Sequence, residues 1–191
     1  MALLSTRIDL YKQMNNCLKS QLSQFSSIPT TYKVLTTFSK NSKNPLVIQG
    51  RLLTAGTYKD SRVGELTLTP EVLQASLDQW RGIPIYTTHN VFRDIVGGKD
   101  PDIRSIAGRI VDVEWNSADS GIDFTAEISN SDVTELMAAQ LIKFISAGFL
   151  RNTATEMISG KWMNFARDLK PVESSLVYDP RDPKASYKVV A

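Results

Sequence analysis

The sequence predicts an α+β fold, with a mainly antiparallel β-sheet or small barrel as its core and separate helices around it. Many short apolar segments are divided by turn residues, whereas helical patterns are few and do not alternate regularly with the strands. A chain of 191 residues with 42% hydrophobic residues is long enough to bury a substantial core. Together these features favour antiparallel pairing over a doubly wound parallel sheet.

The first 44 residues differ in character from the rest. Apolar residues recur at spacings of three and four over residues 1–26, which predicts an amphipathic helix. Residues 26–45 are rich in Ser, Thr, Lys and Asn, and are interrupted by Pro29 and Pro45. We therefore predict an N-terminal helix and linker or arm over residues 1–44, followed by the main domain over residues 45–191.

Strands are predicted at seven places in the main domain: residues 46–53, 66–68, 83–86, 106–115, 121–128, 144–150 and 172–178. The turn at residues 116–120 joins two of them as a hairpin. Pro84 indicates an edge strand, because proline cannot donate a ladder hydrogen bond. Residues 58–64 are interpreted as turn-like, residues 93–102 as a mobile loop, and residues 179–184 as an irregular tail.

Two helices are predicted in this domain. Thr69 suits the N-cap and Pro70 the first position of a helix that runs to Trp80. A second amphipathic pattern covers residues 132–141, with Asn130 or Ser131 as its cap.

Composition excludes several functional classes. The 22 basic and 20 acidic residues nearly balance, which argues against a strongly basic surface specific for nucleic acid. One histidine and one cysteine leave no multi-histidine metal site and no internal disulfide, so neither a metal nor a cofactor is predicted. No apolar run approaches the roughly 18 residues of a membrane helix, and the N-terminus lacks a signal-peptide pattern. These features favour a chain that works in a reducing cytosol without membrane contact.

His89 and Ser146 are the candidates for chemistry. A serine hydroxyl needs a base to become nucleophilic near neutral pH, and His89 is the one imidazole in the chain. Ser146 lies in an apolar strand and is followed by Ala147 and Gly148, whose small side chains would let backbone N–H groups reach a substrate oxyanion. From these residues alone, a structural histidine and an ordinary strand hydroxyl remain open alternatives.

A series of short motifs in the main domain resembles the prohead protease family of tailed phages, which is related to the herpesvirus assemblins. The resemblance covers residues 45–190 and depends on the order of the pieces, because each alone is short. The pieces are Leu-Thr-Pro-Glu-Val-Leu at 68–73, Trp-Arg-Gly-Ile-Pro-Ile at 80–85, Thr-His-Asn at 88–90, Ala-Gly-Arg-Ile at 107–110, the hairpin 113–124, Ile-Ser-Ala-Gly-Phe at 145–149 and Glu-Ser-Ser-Leu-Val at 173–177.

The resemblance implies an assemblin-like β-barrel surrounded by helices, with a serine protease site. Carried over by motif, Ser146 is the nucleophile, His89 the base and Glu173 the third member of the triad. Asp112 is the rival for the third position, because its neighbours on the strand are valines and should point to the opposite face. The herpesvirus relatives use a second histidine there, which this chain does not have.

The family also implies the biological setting. The substrates would be segments of the scaffold protein and the major capsid protein, and the protease itself, inside the immature phage head in the host cytoplasm. The N-terminal helix and arm would suit incorporation by binding one of these proteins. Dimerisation is expected by family analogy alone.

Two other interpretations stay open from the sequence. The chain could be a catalytically silent structural component of the phage capsid that keeps the protease fold. It could also be an unrelated binding module, such as a tail or baseplate adaptor. A separation of more than about 10 Å between His89 and Ser146 would favour the binding module, since proton transfer needs hydrogen-bond reach.

Overall fold

A computed structural model describes residues 45–60 and 62–190 of the chain. The helix, linker and arm predicted within residues 1–44 therefore lie outside the described residues. The fold below concerns the predicted main domain.

The described residues form an α+β fold that is mostly strand. Its strands are β1 Leu46–Thr54, β2 Gly56–Asp60, β3 Gly64–Leu68, β4 Pro84–Tyr86, β5 Ile106–Asn116, β6 Gly121–Ile128, β7 Phe144–Leu150, β8 Thr153–Ile158, β9 Lys161–Ala166, β10 Lys170–Val177 and β11 Tyr187–Val189. The α-helices are α1 Pro70–Ser76, α2 Asn90–Val96 and α3 Ser131–Ala138, and short 3-10 turns cover Leu77–Trp80 and Ile103–Ser105.

The strands of the described chain belong to two sheets. A seven-stranded sheet has the order β11-β1-β6-β5-β4-β10-β7, and a four-stranded sheet has the order β2-β3-β9-β8. Most neighbours are antiparallel, as predicted, whereas β10 with β4 and β3 with β9 are parallel. The α+β class is thus confirmed.

The large sheet curls into a half-barrel, and its two ends approach each other through residues 185–187. The backbone N–H of Arg51 on β1 donates to Ser186 O at 2.9 Å, and Ile145 on β7 donates to Ala185 O at 3.3 Å. Phe144 and Ser186 also pair as an antiparallel bridge. One short segment therefore spans part of the gap between β1 and β7.

The core lies inside this curl. In β6, every second side chain from Ile122 to Ile128 is buried, which is the period expected when one face of a strand packs inward. Ile48 of β1 and Ile110 of β5 are also fully buried. Trp80, which follows α1, is 0% exposed and donates from its indole N–H to Ser76 Oγ.

Both predicted helix starts are confirmed. The Thr69 hydroxyl accepts a hydrogen bond from Val72 N at 3.4 Å, with Pro70 at the first turn of α1. Asn130, one of the two candidate caps of α3, accepts from Asp132 N at 2.9 Å. In each case a polar side chain satisfies an N–H group that the helix itself leaves without a partner.

Three local predictions were wrong. The turn predicted over residues 58–64 is shorter: β2 extends to Asp60 and pairs with β3, and a turn is seen at Arg62 and Val63. The mobile loop predicted over residues 93–102 begins later, because α2, whose Val91 is buried, continues to Val96. Gly97 and Gly98 then end the helix.

The third error concerns β4, which lies inside the sheet between β5 and β10 rather than at an edge. Pro84 is its first residue, where a missing N–H removes little from the ladder. The residue before Pro84 supplies a backbone hydrogen bond to β5, because Ile110 N donates to Ile83 O at 2.9 Å. Strands β8, β9 and β11 were not predicted, since their alternation is weak and they are largely exposed.

Candidate active site

Ser146 lies near the middle of β7, opposite β10. The antiparallel register places Ser146 across from Ser175 and Gly148 across from Glu173. Residues that face each other across an antiparallel pair project from the same face of the sheet. One face of this strand pair therefore carries the predicted nucleophile Ser146, the predicted carboxylate Glu173 and Gly148, which lies opposite Glu173.

His89 joins this face from the end of β4, the other neighbour of β10. It lies between β4 and the first turn of α2, where its side chain is 45% exposed. Its Nε2 is 3.4 Å from the Ser146 hydroxyl oxygen. The contact is long for a hydrogen bond, but such contacts commonly tighten only when substrate binds. The distance also removes the argument for a binding module that a wide separation would have supplied.

Glu173 is the carboxylate behind the imidazole. Its Oε1 lies 2.9 Å from His89 Nδ1, and its side chain is 0% exposed. The contact is close without being a well-aligned hydrogen bond, and Oε1 makes no other polar contact within the described structure. An acceptor at this position favours the tautomer with hydrogen on Nδ1, which leaves Nε2 free to accept the Ser146 proton.

Asp112, the rival third member, lies elsewhere. Its carboxylate accepts from the Arg81 Nε at 3.0 Å, and both side chains are substantially exposed. The geometry therefore brings Glu173, and not Asp112, against His89.

Gly148 provides the space that the Glu173 carboxylate occupies. A Cβ on Gly148 would overlap Oε1 of Glu173 and would lie 2.8 Å from both Glu173 Cδ and the Phe92 ring. Ala147 and Gly148 are predicted from the sequence to form an oxyanion hole. Both residues line the same cleft as Ser146, and that role stays a prediction.

Ser175 holds the other oxygen of Glu173. Its hydroxyl is buried and contacts Glu173 Oε2, and it also lies 3.1 Å from the backbone oxygen of Thr88, next to the histidine. The neighbouring Ser174 donates to the backbone oxygen of Ser146 at 3.1 Å. Neither serine was predicted to have a role in the site. Glu173 and Ser175 are two residues apart on one strand and therefore share a face, which is the signal that could have identified Ser175.

The buried carboxylate also affects Tyr86 on β4. Burial raises the pKa of the Tyr86 phenol, and the nearby negative charge of Glu173 raises it further. This phenol therefore stays neutral around physiological pH, and Glu173 has no competing anion at that position.

The triad candidates open into a cleft of about 360 Å³, a size suited to a few side chains of a bound ligand. One wall comes from β7, and the facing walls come from β1, β2 and β3. Helix α2 and the tail residues Pro180, Arg181 and Asp182 also line it. The cleft thus occupies the gap between β7 and β1 that residues 185–187 span.

A buried ion pair lies in this cleft, away from the triad candidates. Arg151, just beyond β7, contacts the Asp60 carboxylate at 2.7 Å, and both side chains are about nine-tenths buried. Burial opposes ionisation of Asp60, but hydrogen bonds from the backbone of Arg62 and Val63 and the charges of Arg151 and Arg181 outweigh it. The pKa of Asp60 is therefore lowered from its ordinary value.

Other kinds of site have no support in residues 45–60 and 62–190. No three His, Cys, Asp or Glu side chains gather there in a way that could hold a metal ion. None of the helices in this part of the chain is both long and apolar enough to cross a bilayer.

No protein-family model matches the chain, and no curated protein matches its sequence. The resemblance to prohead proteases therefore depends on the ordered motifs, and the site on its own geometry.

Proposed function

We propose that this chain is a serine endopeptidase in which Ser146 attacks a peptide carbonyl, His89 accepts its proton and Glu173 stabilises the imidazolium. The observation that carries the proposal is the position of the His89 ring, with one nitrogen 3.4 Å from the Ser146 hydroxyl and the other 2.9 Å from a buried carboxylate. A base between a nucleophile and an orienting acid is the arrangement that acyl transfer requires.

The chemistry proceeds in two balanced steps. Ser146 Oγ adds to the carbonyl carbon while its proton moves to His89 Nε2, and that proton is then given to the leaving amine as the C–N bond breaks. A water molecule next adds to the ester carbonyl while its proton moves to His89 Nε2. That proton is then given to Ser146 Oγ as the acyl C–O bond breaks, which releases the carboxylic acid product and restores the enzyme. Glu173 remains ionised throughout, since its role is to hold and balance the charged ring.

A peptide substrate fits this cleft better than a small ester. Strand β7 is the last strand of its sheet, and in the described structure its first part contacts residues 185–187 while no strand pairs with the free edge beyond Ser146. An extended peptide can add to such an edge through backbone hydrogen bonds. That edge begins at the proposed nucleophile.

The proposed biological role is maturation of a phage head, by cleavage of scaffold and major capsid protein segments and of the protease itself. The support is the ordered motif series together with a curled, mainly antiparallel sheet, which is compatible with an assemblin-like barrel. Self-processing follows from confinement, because many copies of the protease inside a closed shell meet one another at high local concentration.

The central test is Ser146→Ala. We expect the wild-type chain to react covalently with a fluorophosphonate probe at Ser146 and to cleave capsid precursor, and the variant to do neither, with a loss of at least about 10³-fold in kcat/KM. Peptide mapping by mass spectrometry locates the label.

The matched control is Ser76→Ala, which removes another buried serine hydroxyl, one that donates to Leu73 O at 2.8 Å inside α1. It should lower stability by about 2 kcal/mol, because the buried Trp80 indole N–H also loses its acceptor, and should keep full activity. Wild-type cleavage rates in Ser146→Ala would overturn the nucleophile assignment. An unlabelled wild-type protein that is abundant in mature particles would instead support the silent structural role.

A further inference from the structure

The lining of the cleft is strongly basic. Of the described residues that line the cleft, five carry a positive charge and two a negative charge, whereas the whole chain has a net charge of only +2. The basic residues are Lys59, Arg62, Arg93, Arg151 and Arg181, and the acidic residues are Asp60 and Asp182. The lining of the cleft therefore carries a formal charge of +3, although the chain as a whole is close to neutral.

The acidic side chains in the cleft do not neutralise this excess. The Asp60 carboxylate already has partners: it accepts hydrogen bonds from the backbone N–H groups of Arg62 and Val63 and forms an ion pair with Arg151 at 2.7 Å. Asp182 is buried, and one of its oxygens accepts from Lys184 N. The contact of Arg181 with Asp60 is longer, at 3.6 Å, and the Arg181 side chain is 63% exposed.

The remaining cations are free to meet a ligand. Lys59, Arg62 and Arg93 make no salt bridge with any residue in the described part of the chain, and all three are exposed. They approach the cleft from β2, from the turn after it and from α2, so they surround the opening. Opposite charge in a ligand is what such an arrangement attracts.

We infer that the basic lining of the cleft forms a subsite for a carboxylate side chain, Asp or Glu, of the peptide that the proposed protease cleaves. The inference rests on the proposed function and names a feature of its substrate. The exposed cations Lys59, Arg62 and Arg93 line the same cleft as Ser146, so a peptide bound across the nucleophile would bring an acidic side chain near its cleaved bond against them.

A binding experiment tests the subsite without catalysis. Full-length Ser146→Ala protein is titrated with fluorescein-labelled 12-residue peptides of Ala, Ser and Gly that contain either two Glu or two Gln residues, and anisotropy is recorded. We expect the Glu peptide to bind about tenfold more tightly at about 50 mM salt, and the preference to fall below about threefold at 0.5 M salt because exposed charges are screened.

Variants assign the preference to the cleft. Adding Arg93→Gln and Arg181→Gln to the Ser146→Ala protein should bring the Glu and Gln peptides to within about twofold of each other. Lys188→Gln, which removes an exposed cation on β11 that does not line the cleft, should retain the preference. Both altered arginines are exposed, so folding should be unaffected, and unfolding curves check this.

The outcomes separate this inference from the proposed function. Equal binding of the two peptides, or a preference that survives the double arginine change, overturns the subsite. If the wild-type chain cleaves peptides from a mixed library without enrichment of Asp or Glu near the cleavage points, the protease assignment is supported and the acidic subsite is refuted. If the Glu peptide binds preferentially but the wild-type chain cleaves no peptide, the acidic binding site is supported and the proposed protease function is refuted.

Discussion

At the scale of single residues, His89 depends on two neighbours that the chain places far apart in sequence. Ser146 and Glu173 contact opposite ring nitrogens, and Ser175 holds the remaining oxygen of the carboxylate. Each contact restricts the next, so that the ring is oriented before a substrate arrives. Preorganisation of this kind contributes to catalysis because no reorientation is needed during the reaction.

Glu173→Gln tests the orienting role. The amide is nearly the same size as the carboxylate but carries no charge to balance imidazolium, so we expect kcat/KM to fall by about 10³- to 10⁴-fold while the fold is kept. The measurement is peptide cleavage, with unfolding curves to verify structure.

Asp112→Asn is the matched control, because Asp112 is the rival carboxylate and makes an exposed ion pair with Arg81. We expect its activity to stay within about threefold of wild type, since exposed ion pairs contribute little. A large loss in Asp112→Asn together with a small one in Glu173→Gln would reverse the assignment.

At the scale of secondary-structure elements, the important feature is the contact between the ends of β2 and β7. Asp60 ends β2 and Arg151 follows β7, so their ion pair joins the two sheets across the cleft. Each charge lost much of its hydration on burial, and the pair is stabilised by the additional backbone hydrogen bonds to Asp60. Removing one partner leaves the other buried and unpaired.

Asp60→Asn should therefore lower the free energy of unfolding by about 3 kcal/mol near pH 7. The pKa of Asp60 is lowered in the folded state, so its contribution is complete above its ordinary value of 3.8 and is lost as pH falls through the folded value. The stability gap between wild type and variant should accordingly narrow between about pH 5 and pH 2.

Urea unfolding followed by tryptophan fluorescence at several pH values measures this gap. Asp112→Asn serves again as the control, because its exposed pair with Arg81 should give a much smaller gap at every pH. A gap for Asp60→Asn that stays constant down to about pH 2 would mean that the Asp60 carboxylate does not supply the stability.

At the scale of the whole molecule, the cleft exists because the half-barrel does not close by strand pairing alone. Residues 185–187 span one part of the gap between β1 and β7, and the pair of Asp60 with Arg151 lies at another. Gly50 on β1 lets this segment approach closely: a Cβ there would overlap Ser186 O and lie 2.6 Å from Tyr187 Cα. These are backbone atoms, which cannot move aside as a flexible side chain could.

Gly50→Ala should thus push the segment away from β1 and lower the free energy of unfolding by about 2 kcal/mol. Activity should fall as well, because the same segment contacts β7 beside Ser146. Gly56→Ala is the control, since a Cβ there would make only ordinary contacts, the nearest at 3.4 Å to Tyr58. Equal stability of the two variants in urea would contradict the role given to the segment.

Local chemistry let the sequence predict the fold class, most strand positions in residues 46–128, strand β7 and both helix caps. Side-chain period, turn residues and capping oxygens act over a few positions and need no knowledge of the distant chain. The apolar strand and the small neighbours of Ser146 made it the candidate nucleophile, with an ordinary strand hydroxyl as the alternative. The sequence could not choose between Glu173 and Asp112 as the partner of His89.

Only the tertiary structure decided that choice, because it depends on which strands are neighbours. The order β4-β10-β7 brings His89, Glu173 and Ser146 together, and the register sets the buried carboxylate opposite Gly148. The basic lining of the cleft likewise depends on tertiary structure, because its residues come from β2, α2 and the tail. Such contacts join residues tens of positions apart, and the free energy that selects them is a property of the packed core as a whole.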